Sequence, residues 1–176
     1  IIMSSIMLPH FATLIPNFII WKHLNLVDTF VPLILPSWFG VSTASVFGGG
    51  MFNIFMLKQF FRTLPKELDE AAFIDGAGHF RIFLTVVVPL SKPALICTGL
   101  FTFLNTWNDF VGPLIFLNSE TNYTLQLGLR SFIGMYTSQW HLMMAAATVV
   151  LAPVIVLFFI GQRYFVEGIA TTGLKG

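Results

Sequence analysis

Hydrophobic residues run in four long stretches along this chain, and charged residues gather between them. A helix needs about 20 residues to cross the hydrocarbon core of a bilayer. Cutting the sequence wherever charge appears therefore predicts four spans: Ile1 to Trp21, ended by Lys22; a second within Trp38 to Phe61, ended by Arg62; a third from about Pro93 to Leu117; and a fourth from about Trp140 to Tyr164. Between the first two, Asn25 to Pro32 reads as a turn followed by a short interfacial element, because Pro32 and Pro36 forbid a straight continuation. Gly48-Gly49-Gly50 is placed to loosen or bend the second span. The opening run has no basic leader and no small-residue cleavage site, and it contains Pro9, His10, Pro16 and Asn17, so it does not read as a signal peptide. A span that starts at residue 1 points to the C-terminal part of a longer polypeptide.

Composition agrees with the pattern. The chain is 56% hydrophobic and only 10% charged, with a mean hydropathy of +0.82, whereas soluble domains carry about 25% charged residues. Nine Lys plus Arg and eight Asp plus Glu are too few to cover so much apolar surface in water. The expected fold class is an all-α membrane protein. Lys58, Arg62, Lys66, Arg81 and Lys92 crowd the central loop, and Arg163 and Lys175 flank the far end, against Lys22, His23 and Arg130 on the other side. The positive-inside rule then puts the central loop and the C-terminus in the cytoplasm, with Trp21, Trp38 and Trp140 at outer boundaries. A net charge of +1 gives no argument for nucleic acid, which is not an expected partner. Cys97 has no partner for an internal disulfide, and His10, His23, His79 and His141 lack a metal-ligand spacing, so no metal is expected.

The hydrophilic stretch 62–89 carries its own helix signals. Pro65 suits a first helical turn, Glu67, Asp69 and Glu70 follow where negative charge complements the dipole, and Gly76 is a natural stop. A helix from about Pro65 to Asp75 is too short to be stable alone and needs a surface to rest on. Ala71, Ala72, Gly76, Ala77 and Gly78 allow close approach, while Phe73, Ile74, Phe80, Ile82 and Phe83 supply apolar anchors, the layout of a helix in a partner's groove. A solvated loop helix has the same composition, and the residues alone leave the two open.

Glu70-Ala71-Ala72, three residues, Gly76, and then Val86-Val87-Val88-Pro89 resemble the EAA signature of bacterial ABC importer permeases. Val86 and Val88 stand where that signature has Ile and Leu. Phe103 to Phe110, Leu125 to Leu129, and Gly161 to Gly168 with Gly173 to Gly176 are similar to the carbohydrate-uptake branch, in particular the second permease subunit of maltose-type importers. The resemblance implies a bundle of about four transmembrane helices out of an expected six, the leading pair preceding Ile1. It implies one permease domain over 1–176 with a cytoplasmic coupling loop at 62–89, in a bacterial inner membrane. Glu70, Ala71, Ala72, Asp75, Gly76 and Ala77 become the coupling contacts to a cytoplasmic ATP-binding subunit dimer. A homologous second permease subunit, an extracytoplasmic solute-binding protein and the lipid bilayer are the other implied partners. The tail 171–176 is implied to reach the ATP-binding subunits. No Gly-x-x-x-x-Gly-Lys-Ser/Thr occurs in the chain, so ATP and Mg belong to the partner subunits and no cofactor is expected here.

Asn105, Thr106, Asn108 and Asp109 are the densest polar cluster in any predicted span. Polar groups at depth usually face a bundle interior or a water path. Asn105, Trp107, Asn108 and Asp109 are thus candidate lining residues for translocation, the amides and carboxylate facing sugar hydroxyls and Trp107 or Phe103 stacking on a ring. Hydration of Asp109 near the outer interface, or helix-bridging by Asn105 and Asn108, are the competing readings. Asn53, Asn17 and His10 read as helix glue. A permease for glycerol 3-phosphate shares the same motifs, though a phosphorylated solute favours a basic lining, which the third span lacks. An intramembrane enzyme using Asp109 and His141, or a structural membrane subunit, are the alternatives from other classes; nothing else catalytic gathers around those two residues.

Overall fold

The computed structural model describes residues 10–39, 50–134 and 139–173. The elements are all helical: α1 (His10–His23), α2 (Val31–Trp38), α3 (Gly50–Phe61), α4 (Lys66–Ile74), α5 (His79–Ile82), a π-helical turn Phe83–Val87, α6 (Val88–Leu90), α7 (Lys92–Trp107), α8 (Val111–Phe116), α9 (Leu125–Leu129) and α10 (Trp140–Gly173). Short 3₁₀ turns at Glu120–Asn122 and Arg130–Phe132 flank α9.

The first predicted span is α1, whose leading residues 1–9 lie outside the described part, as do 40–49, which include Gly48 and Gly49 of the second. The turn after α1 comes from a different source than its prolines. Asn25 (φ 54) and Asp28 (φ 66) take left-handed backbone. Leu26 N–H donates to Trp21 O and Asn25 N–H to Lys22 O, both at 3.0 Å, a Schellman cap with Asn in the glycine position. Pro32 then opens α2 instead of breaking a helix.

The third span stops at Trp107, ten residues short of the expected Leu117. Pro113 cannot donate to the Asp109 carbonyl. The Asp109 carboxylate instead accepts the Gly112 N–H at 3.1 Å, and the chain restarts as α8.

α10 is the one described helix long and apolar enough by itself to cross a membrane, over Trp140–Gln162, and only 6% of its most apolar window is buried. The core helix of a soluble protein would be mostly covered. The two arms His79–Leu90 and Lys92–Trp107 pass the same test together but meet at 74°. The tightest packing joins α7 to α10, where a Cβ on Gly161 would lie 2.2 Å from Leu100 Cδ1. A second knot buries Pro32, Phe116 and Leu117 where α2 meets α8.

Candidate functional site

α4 follows Pro65, which stands one position ahead of the helix in extended backbone (ψ 130), with Glu67 and Asp69 in the first turn. Its C-terminus is a complete Schellman cap: Gly76 N–H donates to Phe73 O and Ala77 N–H to Ala72 O, both at 3.0 Å. Gly76 has φ +79, and a Cβ there would meet nothing within 4 Å. Backbone conformation, and no crowding from this chain, is what demands glycine. The Phe73 and His79 rings meet edge to face at 4.7 Å and close the turn into α5.

Glu70, Ala71, Asp75 and Gly76 are exposed, and Ala72 and Ala77 are half-buried. Beside them Ile74 is 87% exposed, Phe80 74% and Phe73 46%. Bare side chains of this size on a short polar helix are unusual, since burying one contributes about 1.5–3 kcal/mol.

The polar cluster lies at the far end of α7. Asn105 and Asn108 donate their amides to their own helix, to Phe101 O and Leu104 O at 2.8 Å. Asn108 Oδ1 accepts from Gln126 Nε2 of α9 at 3.1 Å, which brings a fifth polar residue to the group. Trp107 stacks on Phe103 at 5.3 Å, and its indole N–H donates to Val150 O of α10 at 3.1 Å. Its face and donor are thus engaged within the bundle. Asp109 is half-buried at the α7–α8 junction. Asn53 Nδ2 donates to Thr102 Oγ1 at 2.8 Å, tying α3 to α7 in the manner expected of helix glue. His141 is exposed at the start of α10, and among the described residues no three His, Cys, Asp or Glu side chains gather.

One constellation escaped the sequence. Asp28 Oδ1 accepts the N–H groups of Asn118 and Ser119, both at 2.9 Å, and its other oxygen accepts the Ser119 hydroxyl. Asn122 Nδ2 donates to the Asp28 carbonyl at 2.9 Å, and Asp28 N–H to Phe116 O at 2.7 Å. The Ser119 hydroxyl, then the Ser119 and Asn118 amides, hold the Asp28 carboxyl at about 2, below its ordinary 3.8. The α1–α2 turn is thereby clamped to the loop after α8. Asp in a turn was the only local cue, and nothing in one sequence connects it with positions 90 residues away.

Residues 1–171 match the family described as Binding-protein-dependent transport system inner membrane component. The chain is 37% identical over 172 residues to the maltodextrin transport system permease protein MdxG of Bacillus subtilis, covering 97% of this chain and 59% of that protein. It is 36% identical to the sn-glycerol-3-phosphate transport system permease protein UgpE of Yersinia pestis, covering 96% of this chain and 57% of the relative. It thus spans somewhat over half the length of these curated relatives. Among solved structures, a bacterial ABC transporter involved in the import of the acidic polysaccharide alginate superposes with a TM-score of 0.66 at 25% identity, over 86% of this chain and 55% of that one. The match along nearly the full chain, together with the α4–Gly76 segment and the bare apolar helix α10, establishes that this chain belongs to the family of inner membrane components of binding-protein-dependent ABC transport systems.

Proposed function

We propose that the chain is part of a permease subunit of an ATP-driven importer for a sugar or oligosaccharide. The observation that carries this reading is α4, a short helix with exposed Ile74 and Phe73 held by the Gly76 cap beside the Glu70-Ala71-Ala72 signature. In this account α4 lies in the cytoplasm and seats in a groove of an ATP-binding subunit. Glu70, Ala71, Ala72, Asp75, Gly76 and Ala77 form the contact, and a pair of such subunits binds ATP and Mg. A homologous second permease completes the membrane unit. Solute arrives from an extracytoplasmic binding protein and passes the Asn105, Asn108 and Asp109 end of α7, where Trp107 braces the wall against α10.

The similarity to UgpE favours glycerol 3-phosphate as a second reading. Against it, neither Pro93 to Trp107 nor Trp140 to Gln162 contains a Lys or Arg to meet a phosphate dianion. Oligosaccharide is the better fit.

Copurification tests the assembly. Affinity capture of the full-length protein from membranes should recover a cytoplasmic ATPase pair and one similar permease, and a photoreactive residue at Ile74 should label the ATPase. Recovery of this protein alone, with Ile74 labelling only lipid, would overturn the reading. Vesicle uptake of labelled maltodextrin against glycerol 3-phosphate by the recovered complex decides between the solutes.

A further inference from the structure

Pro89 and Pro93 cannot donate to the carbonyls of Thr85 and Pro89, so a straight helix from His79 to Trp107 is excluded. The chain answers with the π-helical turn Phe83–Val87 and a 74° bend between the arms His79–Leu90 and Lys92–Trp107. Ser91 stands at the corner. It is 0% exposed, the one buried polar side chain among the described residues.

Every polar group of Ser91 is committed. Its N–H is shared between Val87 O at 3.0 Å and Val88 O at 3.2 Å, and its carbonyl accepts Leu95 N–H at 2.9 Å. Its hydroxyl donates to Val87 O at 2.7 Å. The residue therefore makes three bonds to the first arm, two to Val87 and one to Val88, with the hydroxyl's among them, and one to the second arm through its carbonyl and Leu95. Serine bonding back to the preceding turn bends helices, and kinks arise where prolines and π-turns interrupt the ladder. A flexible joint would instead show solvent-exposed backbone bonds and few buried contacts.

We propose that Ser91 is a positioning residue that locks this corner, so that the two arms move as one L-shaped lever. Displacement of the α4 segment at the inner arm then swings α7 and the Asn105–Asp109 group at its far end. The 16 residues of α7 make an arm about 24 Å long at 1.5 Å per residue, so a turn of roughly 10° carries its tip about 4 Å. Slack at Ser91 would absorb that motion. The inference rests on the coupling role proposed for α4.

The test uses the assembled transporter with its ATP-binding and second permease subunits, spin-labelled at Leu84 and Thr106, one exposed position on each arm. Pulsed electron paramagnetic resonance should give one narrow distance, equal within roughly 2 Å in nucleotide-free and ATP-bound states, well below a one-turn ratchet of about 5.4 Å. Ser91→Ala should broaden that distribution and lower the solute moved per ATP by about threefold, in the range expected for a coupling residue. Ser91→Cys, of similar size and with a weak donor, should restore part of both. A wild-type distance that shifts by about 5 Å or more between states makes the corner a hinge and overturns the lock. Ser91→Ala that lowers yield while leaving the solute-to-ATP ratio unchanged reduces Ser91 to a folding residue and overturns it equally. Loss of ATPase labelling from Ile74 would instead signal failure of the coupling role itself.

Discussion

Asp28 and Gly76 both occupy left-handed backbone, for different reasons. At Asp28 the carboxylate organises four donor groups, the Asn118 and Ser119 amides, the Ser119 hydroxyl and, at 3.4 Å, Asn122 Nδ2, and its lowered pKa fixes the sign of the pH response. The folded value, about 2, lies below the ordinary 3.8. The clamp is therefore fully present above about pH 4 and weakens as pH falls toward 2. Amide hydrogen exchange at Asn118 and Ser119 should be constant above that window once corrected for intrinsic rates. Asp28→Asn, which keeps one acceptor and loses the charge, should accelerate exchange at both sites at neutral pH. Unchanged protection in that variant would mean the clamp is held by Asn122 and Phe116 alone. At Gly76 the demand is conformational. A left-handed residue with a Cβ costs about 1–2 kcal/mol, Asn tolerates the region better, and β-branched Val tolerates it least. Transport by variants should fall in the order Gly76→Asn, Gly76→Ala, Gly76→Val while membrane insertion stays constant. Equal transport by all three would show that the cap conformation is not needed. The Gly76 stop was legible because a cap is local. The Asp28 clamp was not, because its donors come from a distant loop.

At the scale of elements, the stretches of charge marked the helix boundaries well where charge was the terminator: α1 ends beside Lys22 and His23, and α3 ends before Arg62. They failed where a polar side chain and a proline act together, as at Asn108, Asp109 and Pro113. Apolar residues resume at Phe110 and run on to Leu117, so the stretch reads as one span in spite of the polar cluster inside it. The polar cluster was legible as a cluster, but its internal division was not: α7 and α10 are joined through Trp107, which sequence reading assigned to a ring-stacking role. Trp107→Phe keeps an aromatic face toward Phe103 and deletes only the indole N–H. It should destabilise the α7–α10 pair by about 1 kcal/mol, the usual worth of one hydrogen bond, seen as a lowered thermal midpoint of the purified complex. A far larger loss would mean that the ring's packing, more than its donor, holds the pair.

For the whole molecule, the sequence conveyed the class through its apolar bulk and the short helix α4 with its Gly76 stop through local spacing. What it withheld is how little of this surface the chain covers by itself: Val149 is 71% exposed, Phe159 63% and Ile160 57% on α10. Such faces belong against acyl chains or neighbouring subunits, since helices in lipid satisfy their backbone internally and leave apolar side chains outward. The 74° corner has a consequence of the same kind. With α7 upright in the bilayer, the arm from His79 to Leu90 runs nearly flat, and its exposed Phe83 and Leu84 beside Arg81 match a helix floating at headgroup depth. An arm at that depth would set Arg81 among lipid headgroups and Phe83 and Leu84 among acyl chains, so the thickness of the surrounding bilayer would fix the level at which it rides.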